Sequence, residues 1–258
     1  MTGYKELARR ARIGVLDMIY AAQSSHISSN FSSIDLLAVL FERMNLKTDK
    51  FIASKGWAAA AVYYFLAQKG VIPAKDLERY CQPGEEEYIG LVEPRGKFGL
   101  QAAGGAVGYG LSFGTGFALS KQLKGEEGTV YVLMSDGEQQ VGMVWESALV
   151  AAHHGLKNLV AIIDNNKIQA TGKTADVLNI EPLQKKWKAF GWEVSEINGH
   201  NHGAIVKALN RGRTKPLVII ANTIKGKGVQ EFEQNGLQWH YKNIPEDVYK
   251  RAMEELCI

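Results

Sequence analysis

The chain is poor in cysteine: Cys81 and Cys257 are the only two in 258 residues. Two thiols cannot build a disulfide framework, and their scarcity fits a protein kept reduced in the cytoplasm. No run of about 18 apolar residues occurs, which excludes a membrane-spanning helix. The opening MTGYKELARRARIG is charged and helix-forming, with no apolar signal region. An excess of one charge is also missing, because 30 Lys and Arg stand against 27 Asp and Glu, a net +3. The longest basic cluster, Lys185-Lys186 with Lys188, is too short for a nucleic-acid footprint. No internal repeat or low-complexity linker appears. A single domain over residues 1–258 is expected, partnered by neither nucleic acid nor membrane.

Periodicity supplies the elements. Leu7, Ala11, Val15, Met18 and Ile19 recur at helical spacing between Tyr4 and Ala22, and a second helix is expected from Ser33 to Met44. Phe51–Ala53 reads as a short buried strand, followed by an Ala-rich helix from Gly56 to Lys69. Pro73 and Pro83 punctuate a further helical stretch. Beyond residue 128, apolar strands (129–134, 159–163, 192–197 and 217–221) alternate with helices (142–154, 181–190, 202–211 and 246–256). That alternation predicts an α/β fold, a doubly wound, mostly parallel sheet with helices on both faces. Glycine, in contrast, is plentiful: ten fall between Gly84 and Gly116, where the backbone is expected to turn sharply or approach a ligand closely.

Ligands of open parallel sheets bind beyond the carboxyl ends of the strands. One expected strand runs into Ser135-Asp136-Gly137-Glu138, the next into Asp164-Asn165-Asn166-Lys167-Ile168. The interval is about the 30 residues of one strand–helix–strand crossover. Neighbouring strands would set Asp136 and Asn166 face to face at one rim. A carboxylate, an amide oxygen and a nearby main-chain carbonyl form an incomplete oxygen shell, in which Mg²⁺ keeps positions open for a phosphorylated ligand. Gly137 allows close backbone approach, and the helix starting near Gly142 turns its positive end the same way. Either motif alone is equally well read as turn chemistry; the pair, on successive strands, favours a site.

SDGEQQVGMVWESALVAAHHGLKNLVAIIDNNKIQATG resembles the thiamine-diphosphate motif, which opens Gly-Asp-Gly and closes Asn-Asn. EPLQKKWKAFGWEVSEINGH, NTIKGKGV, NGLQWHYKNIP, QSSHISSNFSSIDLLAVL and SKGWAAAAVYYFLAQKG are similar to the amino-terminal, diphosphate-binding half of transketolase. The resemblance covers about residues 5–255. It implies that Asp136, Asn166 and the Ile168 carbonyl bind Mg²⁺, with Asn166 and Ile168 also against the cofactor. Gly137 and Glu138 would border the diphosphate, and Gly105 and Val107, in AAGGAVGYG, would touch the thiamine. His26 would face the substrate and His240 the diphosphate and reacting carbon, as imidazoles suited to moving protons. Lys225 and Lys227 are read equally as phosphate contacts or as solvated lysines, and His200 as a loop cap.

Departures from the family pattern bear on substrate. Trp57 stands where transketolases carry a histidine, placing an indole in the cofactor pocket. A His-Pro element expected near residue 92 is replaced by Gly90-Leu91-Val92-Glu93-Pro94, the thiamine loop reads Gly108-Tyr109-Gly110, and Val141 replaces a glutamate that would share a proton network across the dimer. A sugar-type substrate other than the usual one is therefore expected. No residue can be assigned to activate the aminopyrimidine. A separately encoded, C-terminal transketolase-like subunit is expected to supply that glutamate, in a heterotetramer of two copies of each chain. The resemblance leaves two alternatives: the α subunit of a 2-oxoacid dehydrogenase, and a non-catalytic paralogue that holds the interface. A dinucleotide-binding dehydrogenase is set aside, since Gly108-Tyr109-Gly110 lacks the third glycine of that fingerprint.

Overall fold

The computed structural model describes residues 2–92 and 105–257. The chain opens with α1 (Thr2–Ala21), α2 (Ile27–Phe31) and α3 (Ile34–Arg43), then β1 (Lys50–Ala53) and α4 (Ala59–Gln68). After residue 104 come α5 (Tyr109–Lys124), β2 (Val130–Ser135), α6 (Gly142–His153) and β3 (Leu159–Asn165). The remainder is α7 (Thr174–Val177), α8 (Leu183–Ala189), β4 (Glu193–Asn198), α9 (His202–Leu209), β5 (Leu217–Asn222), α10 (Gln230–Gln234) and α11 (Glu246–Cys257). Glu93, Pro94 and the glycines at 96, 99 and 104 lie outside the described residues.

The five strands form one sheet in the order β1-β2-β3-β5-β4, every pairing parallel. Alternation along β3 shows why helices cover both faces. Val160 and Ile162 enter one apolar layer with α1, α3, α4 and α9, while Leu159, Ala161 and Ile163 enter another with α5, α6 and α8. All seven residues of β3 are buried, so no face of the strand could be left to water. The expected α/β architecture is present, and β2 and β3 are neighbours, with Ser135 opposite Asp164.

Two expectations are corrected. The stretch between Pro73 and Pro83 is a 3-10 turn over Ala74–Arg79 rather than a full helix. The glycine-rich segment is not all turn, because α5 begins at Tyr109 and runs through Gly110, Gly114 and Gly116. A Cβ on Gly110 would stand 2.2 Å from Ser54 Cβ, and one on Gly114 would stand 2.5 Å from Val132 Cγ2. Spaced four apart on one helical face, these two glycines let α5 lie directly on the sheet. What they approach is the sheet, Ser54 just past the end of β1 and Val132 within β2.

Gly110→Ala should therefore lower stability by about 2 kcal/mol through overpacking. Gly116→Ala, with nothing within 4 Å of its Cβ, should gain about 0.5–1 kcal/mol from helix propensity. Thermal or urea unfolding of the two variants checks the contrast, and equal effects would contradict the packing account.

Candidate functional site

The loops that follow β1, β2, β3 and β5 converge on a cavity of about 370 Å³. Trp57, Gly105, Val107, Asp136, Gly137, Glu138, Asn166, Ile168 and His240 all line it, together with Lys55, Gln169 and Lys225. His26 adjoins it: its ring stacks on Trp57 at 3.9 Å between centroids, nearly parallel at 4°, and meets the His240 ring edge-on at 4.6 Å. Asn30 fixes that stack from behind, its amide donating to the carbonyls of His26 (2.9 Å) and Trp57 (3.1 Å).

Beneath the cavity lies Asp164, a residue with no role in the sequence reading. It is completely buried and accepts from Lys55 Nζ at 2.6 Å, Ser32 and Ser33 Oγ at 2.7 Å each, and Thr223 Oγ1. Burial opposes its ionisation, but the Lys55 ammonium together with the Ser33 and Thr223 hydroxyls outweighs it and holds the pKa down at about 2. Its other contact, 3.3 Å from Asn166 Nδ2, sets the Asn166 amide so that Oδ1 remains as acceptor, taking Ile168 N–H at 3.1 Å. A lone acid closing the apolar run LVAIID was the available signal, since a carboxylate there demands a buried cation.

Asp136 accepts from Gly137 N–H (2.8 Å), Lys167 N–H (2.7 Å) and Thr174 Oγ1 (2.8 Å), which pin it at the end of β2. Burial still pushes its pKa upward. Glu138 lines the cavity, but its carboxylate is engaged by Ser54 Oγ and by Ser135 N–H (2.9 Å) and Oγ (3.1 Å). It braces the ends of β1 and β2 against each other.

Lys225 is 3% exposed, which removes the solvated reading. Its Nζ donates to the Ile168 carbonyl (2.9 Å) and to His240 Nδ1 (3.0 Å), while Asp136 and Asp164 act on it only at longer range. Burial, then Lys55, brings its pKa down to about 8, so it remains mainly an ammonium at neutral pH. Because Nδ1 of His240 accepts, that ring is neutral and carries its proton on Nε2; burial and Lys225 lower its pKa to about 3. Lys227 lies outside the cavity and pairs with Glu233 at 3.0 Å. His153 and His154 are exposed at the end of α6, away from the cavity.

The polar groups left over define what fits. Gln169 Nε2 is buried with no acceptor, and a Cβ on Gly137 would meet the Gln169 side chain at 3.3 Å. An ammonium held only by neutral groups, an orphaned amide donor and a glycine-cleared approach ask for an anion. Among the described residues no cluster of three His, Cys, Asp or Glu could hold a metal. A cation here would use Asp136, the Asn166 amide oxygen and the Ile168 carbonyl, hard oxygens that suit Mg²⁺ sharing an anionic ligand. The residues present fit a magnesium diphosphate.

The family model described as the thiamine diphosphate binding domain of transketolase matches residues 4–256. The chain belongs to the transketolase family. It is 35% identical over 243 residues to the 6-deoxy-6-sulfo-D-fructose transketolase subunit of a Clostridium species, covering 90% of this chain and 88% of that one. It is 36% identical to one of the apulose-4-phosphate transketolase subunits of Actinobacillus succinogenes, covering 98% and 94%. Against human transketolase the identity is 31%, over 98% of this chain but only 42% of that protein. The solved transketolase of Campylobacter jejuni superposes with a TM-score of 0.91 at 28% identity, covering all of this chain and 43% of that one. The transketolase match decides against the 2-oxoacid dehydrogenase alternative. It also accounts for the thiamine-diphosphate-binding fold.

His26 offers a pH test. Burial, then Lys225, lowers its pKa from 6.5 to about 4, so the folded protein keeps the ring neutral where the unfolded chain protonates it. The unfolded state thus binds more protons between about pH 6.5 and 4, and stability falls as pH drops through that window. His26 alone should cost about 2 kcal/mol between pH 7 and pH 5. Urea midpoints at the two pH values should show a smaller loss in His26→Gln; an unchanged loss would contradict a neutral, buried ring.

Proposed function

We propose that this chain is the N-terminal subunit of a split transketolase-like enzyme that moves a two-carbon ketol unit onto an aldehyde, with thiamine diphosphate held through Mg²⁺ at Asp136, Asn166 and the Ile168 carbonyl. The observation that carries the reading is the buried Lys225 ammonium and the orphaned Gln169 amide lining one cavity with Asp136. Bound there, the cofactor would supply a carbon nucleophile for carbonyl addition. Gly137 would give the diphosphate room, and Lys225 and Gln169 would donate to its oxygens. Gly105 and Val107 would flank the thiamine rings. His240, neutral with its Nε2 proton free of Lys225, would donate to the carbonyl oxygen that gains charge, and His26, edge-on against the His240 ring, would face the substrate from the same side.

Two of the relatives are named as transketolase subunits, which supports a second, C-terminal chain as partner. That partner would supply the glutamate that activates the aminopyrimidine, in a complex of two copies of each chain. No helix among the described residues is long and apolar enough to cross a membrane, in keeping with work in the cytoplasm. Those relatives are also named for 6-deoxy-6-sulfo-D-fructose and for apulose 4-phosphate, which supports a non-standard sugar here. Trp57 is the residue expected to impose it, because its indole covers one face of His26 where a second imidazole would hydrogen-bond a hydroxyl.

Asp136→Ala should abolish Mg²⁺-dependent thiamine-diphosphate binding by the reconstituted pair while leaving the circular dichroism spectrum unchanged; retained affinity would refute the metal assignment. In the same pair, Trp57→His should shift kcat/KM among aldehyde acceptors toward more hydroxylated ones, about tenfold for one gained hydrogen bond. An unchanged acceptor ranking would remove Trp57 from specificity.

A further inference from the structure

A second polar cluster lies outside the cavity, and nothing in the functional reading uses it. Asp35, near the start of α3, is 5% exposed. Its Oδ2 accepts from Arg12 at 2.6 Å and from His200 Nδ1 at 2.8 Å, and its Oδ1 accepts from His202 Nε2 at 2.8 Å. Burial opposes its charge, yet the two imidazoles and the guanidinium hold it well below the usual carboxylate range. The partners do not stop at Asp35. Ile224 N–H donates to His200 Nε2 at 2.8 Å. A ring nitrogen that accepts from an amide carries no proton, so His200 is neutral and its Nδ1–H points at Asp35. Arg12, from its other edge, donates Nε–H to the Lys227 carbonyl at 2.7 Å. The backbone makes room for that arm: a Cβ on Gly228, whose φ is +110°, would stand 2.5 Å from Arg12 Cδ and Nε.

Ile224 and Lys227 are the two ends of one turn, closed by Lys227 N–H on the Ile224 carbonyl at 3.2 Å. Lys225 lies between them and sends its ammonium into the cavity. We propose that Asp35 is a positioning residue for the cofactor site, acting through His200 and Arg12 to hold both ends of the turn and so fix where Lys225 stands. The proposal rests on the reading of Lys225 as a diphosphate ligand. Asp35 itself never reaches the cavity. Its charge aligns a neutral donor–acceptor ring and a forked cation, each of which passes the constraint to one backbone group.

Two isosteres separate this role from simple satisfaction of Asp35. In His200→Asn the amide nitrogen falls where Nδ1 was, keeping the bond to Asp35 and losing the acceptor for Ile224. In His200→Gln the amide oxygen falls where Nε2 was, keeping the acceptor for Ile224. The readouts are hydrogen exchange of the Ile224 amide in the ligand-free chain and calorimetric binding of inorganic diphosphate with Mg²⁺. His200→Asn should speed exchange and weaken diphosphate about tenfold each, the loss of one hydrogen bond, while His200→Gln, which keeps the acceptor for Ile224 but gives up the bond to Asp35, should lose about threefold in each. Arg12→Lys, which can pair with Asp35 but lacks the second edge for Lys227, should behave like His200→Asn. Parent-like exchange in His200→Asn, or a greater loss in His200→Gln, would overturn the proposal. Lys225→Met keeps the two claims apart. If it loses diphosphate while His200→Asn keeps both readouts, the clamp is wrong and the site reading stands. If it binds diphosphate normally while His200→Asn loosens Ile224, the site reading is wrong, and with it the clamp's purpose.

Discussion

The site is organised around one buried ion pair, Lys55 Nζ on Asp164 Oδ2 at 2.6 Å, with side chains 7% and 0% exposed. A buried pair adds little net stability over an apolar replacement, but breaking one side of it costs about 3–5 kcal/mol. Its value here lies in what it arranges. Asp164 draws Ser32 and Ser33 from the turn between α2 and α3, Thr223 from the end of β5, and the Asn166 amide from its own strand. Lys55 adds a bond to the Ser29 carbonyl at 2.7 Å. Four segments, around residues 29–33, 55, 164–166 and 223, are thereby indexed to one carboxylate.

Around that pair the site is electropositive without being solvated. Lys55 is neutralised by Asp164; Lys225 is answered only by carbonyls and His240. The field of these ammonium groups reinforces burial in keeping His240 and His26 neutral. A neutral imidazole can donate or accept at need, whereas an imidazolium beside Lys225 would add a second unpaired positive charge. Anion binding and imidazole chemistry thus share a single electrostatic cause. Trp57 fits the same logic, because an indole stacked on His26 excludes water from one face of the ring and adds no charge.

The polar ends of the strands carry this site because their middles cannot. Every residue of β3 is buried between two apolar layers, so chemistry begins only where the strands stop. Asp136 and Asn166 meet because β2 and β3 are parallel neighbours with Ser135 beside Asp164, a register that the intervening α6 permits.

The sequence alone determined the α/β alternation, the neighbouring placement of the Asp136 and Asn166 motifs and the family, because apolar runs, crossover length and local motif are properties of contiguous residues. It misled where one residue type serves two ends: the glycines of α5 read as turns but lie under a helix pressed on the sheet. Only tertiary structure decided that Lys225 faces the cavity and Lys227 does not, since both occupy the same Lys-Gly-Lys-Gly string. The roles of Asp164, Gln169 and Asp35 were equally hidden. A buried polar atom acquires meaning from partners more than a hundred residues away, as Asp35 does from His200 and Asp164 from Lys55, and no local pattern records which partners those will be.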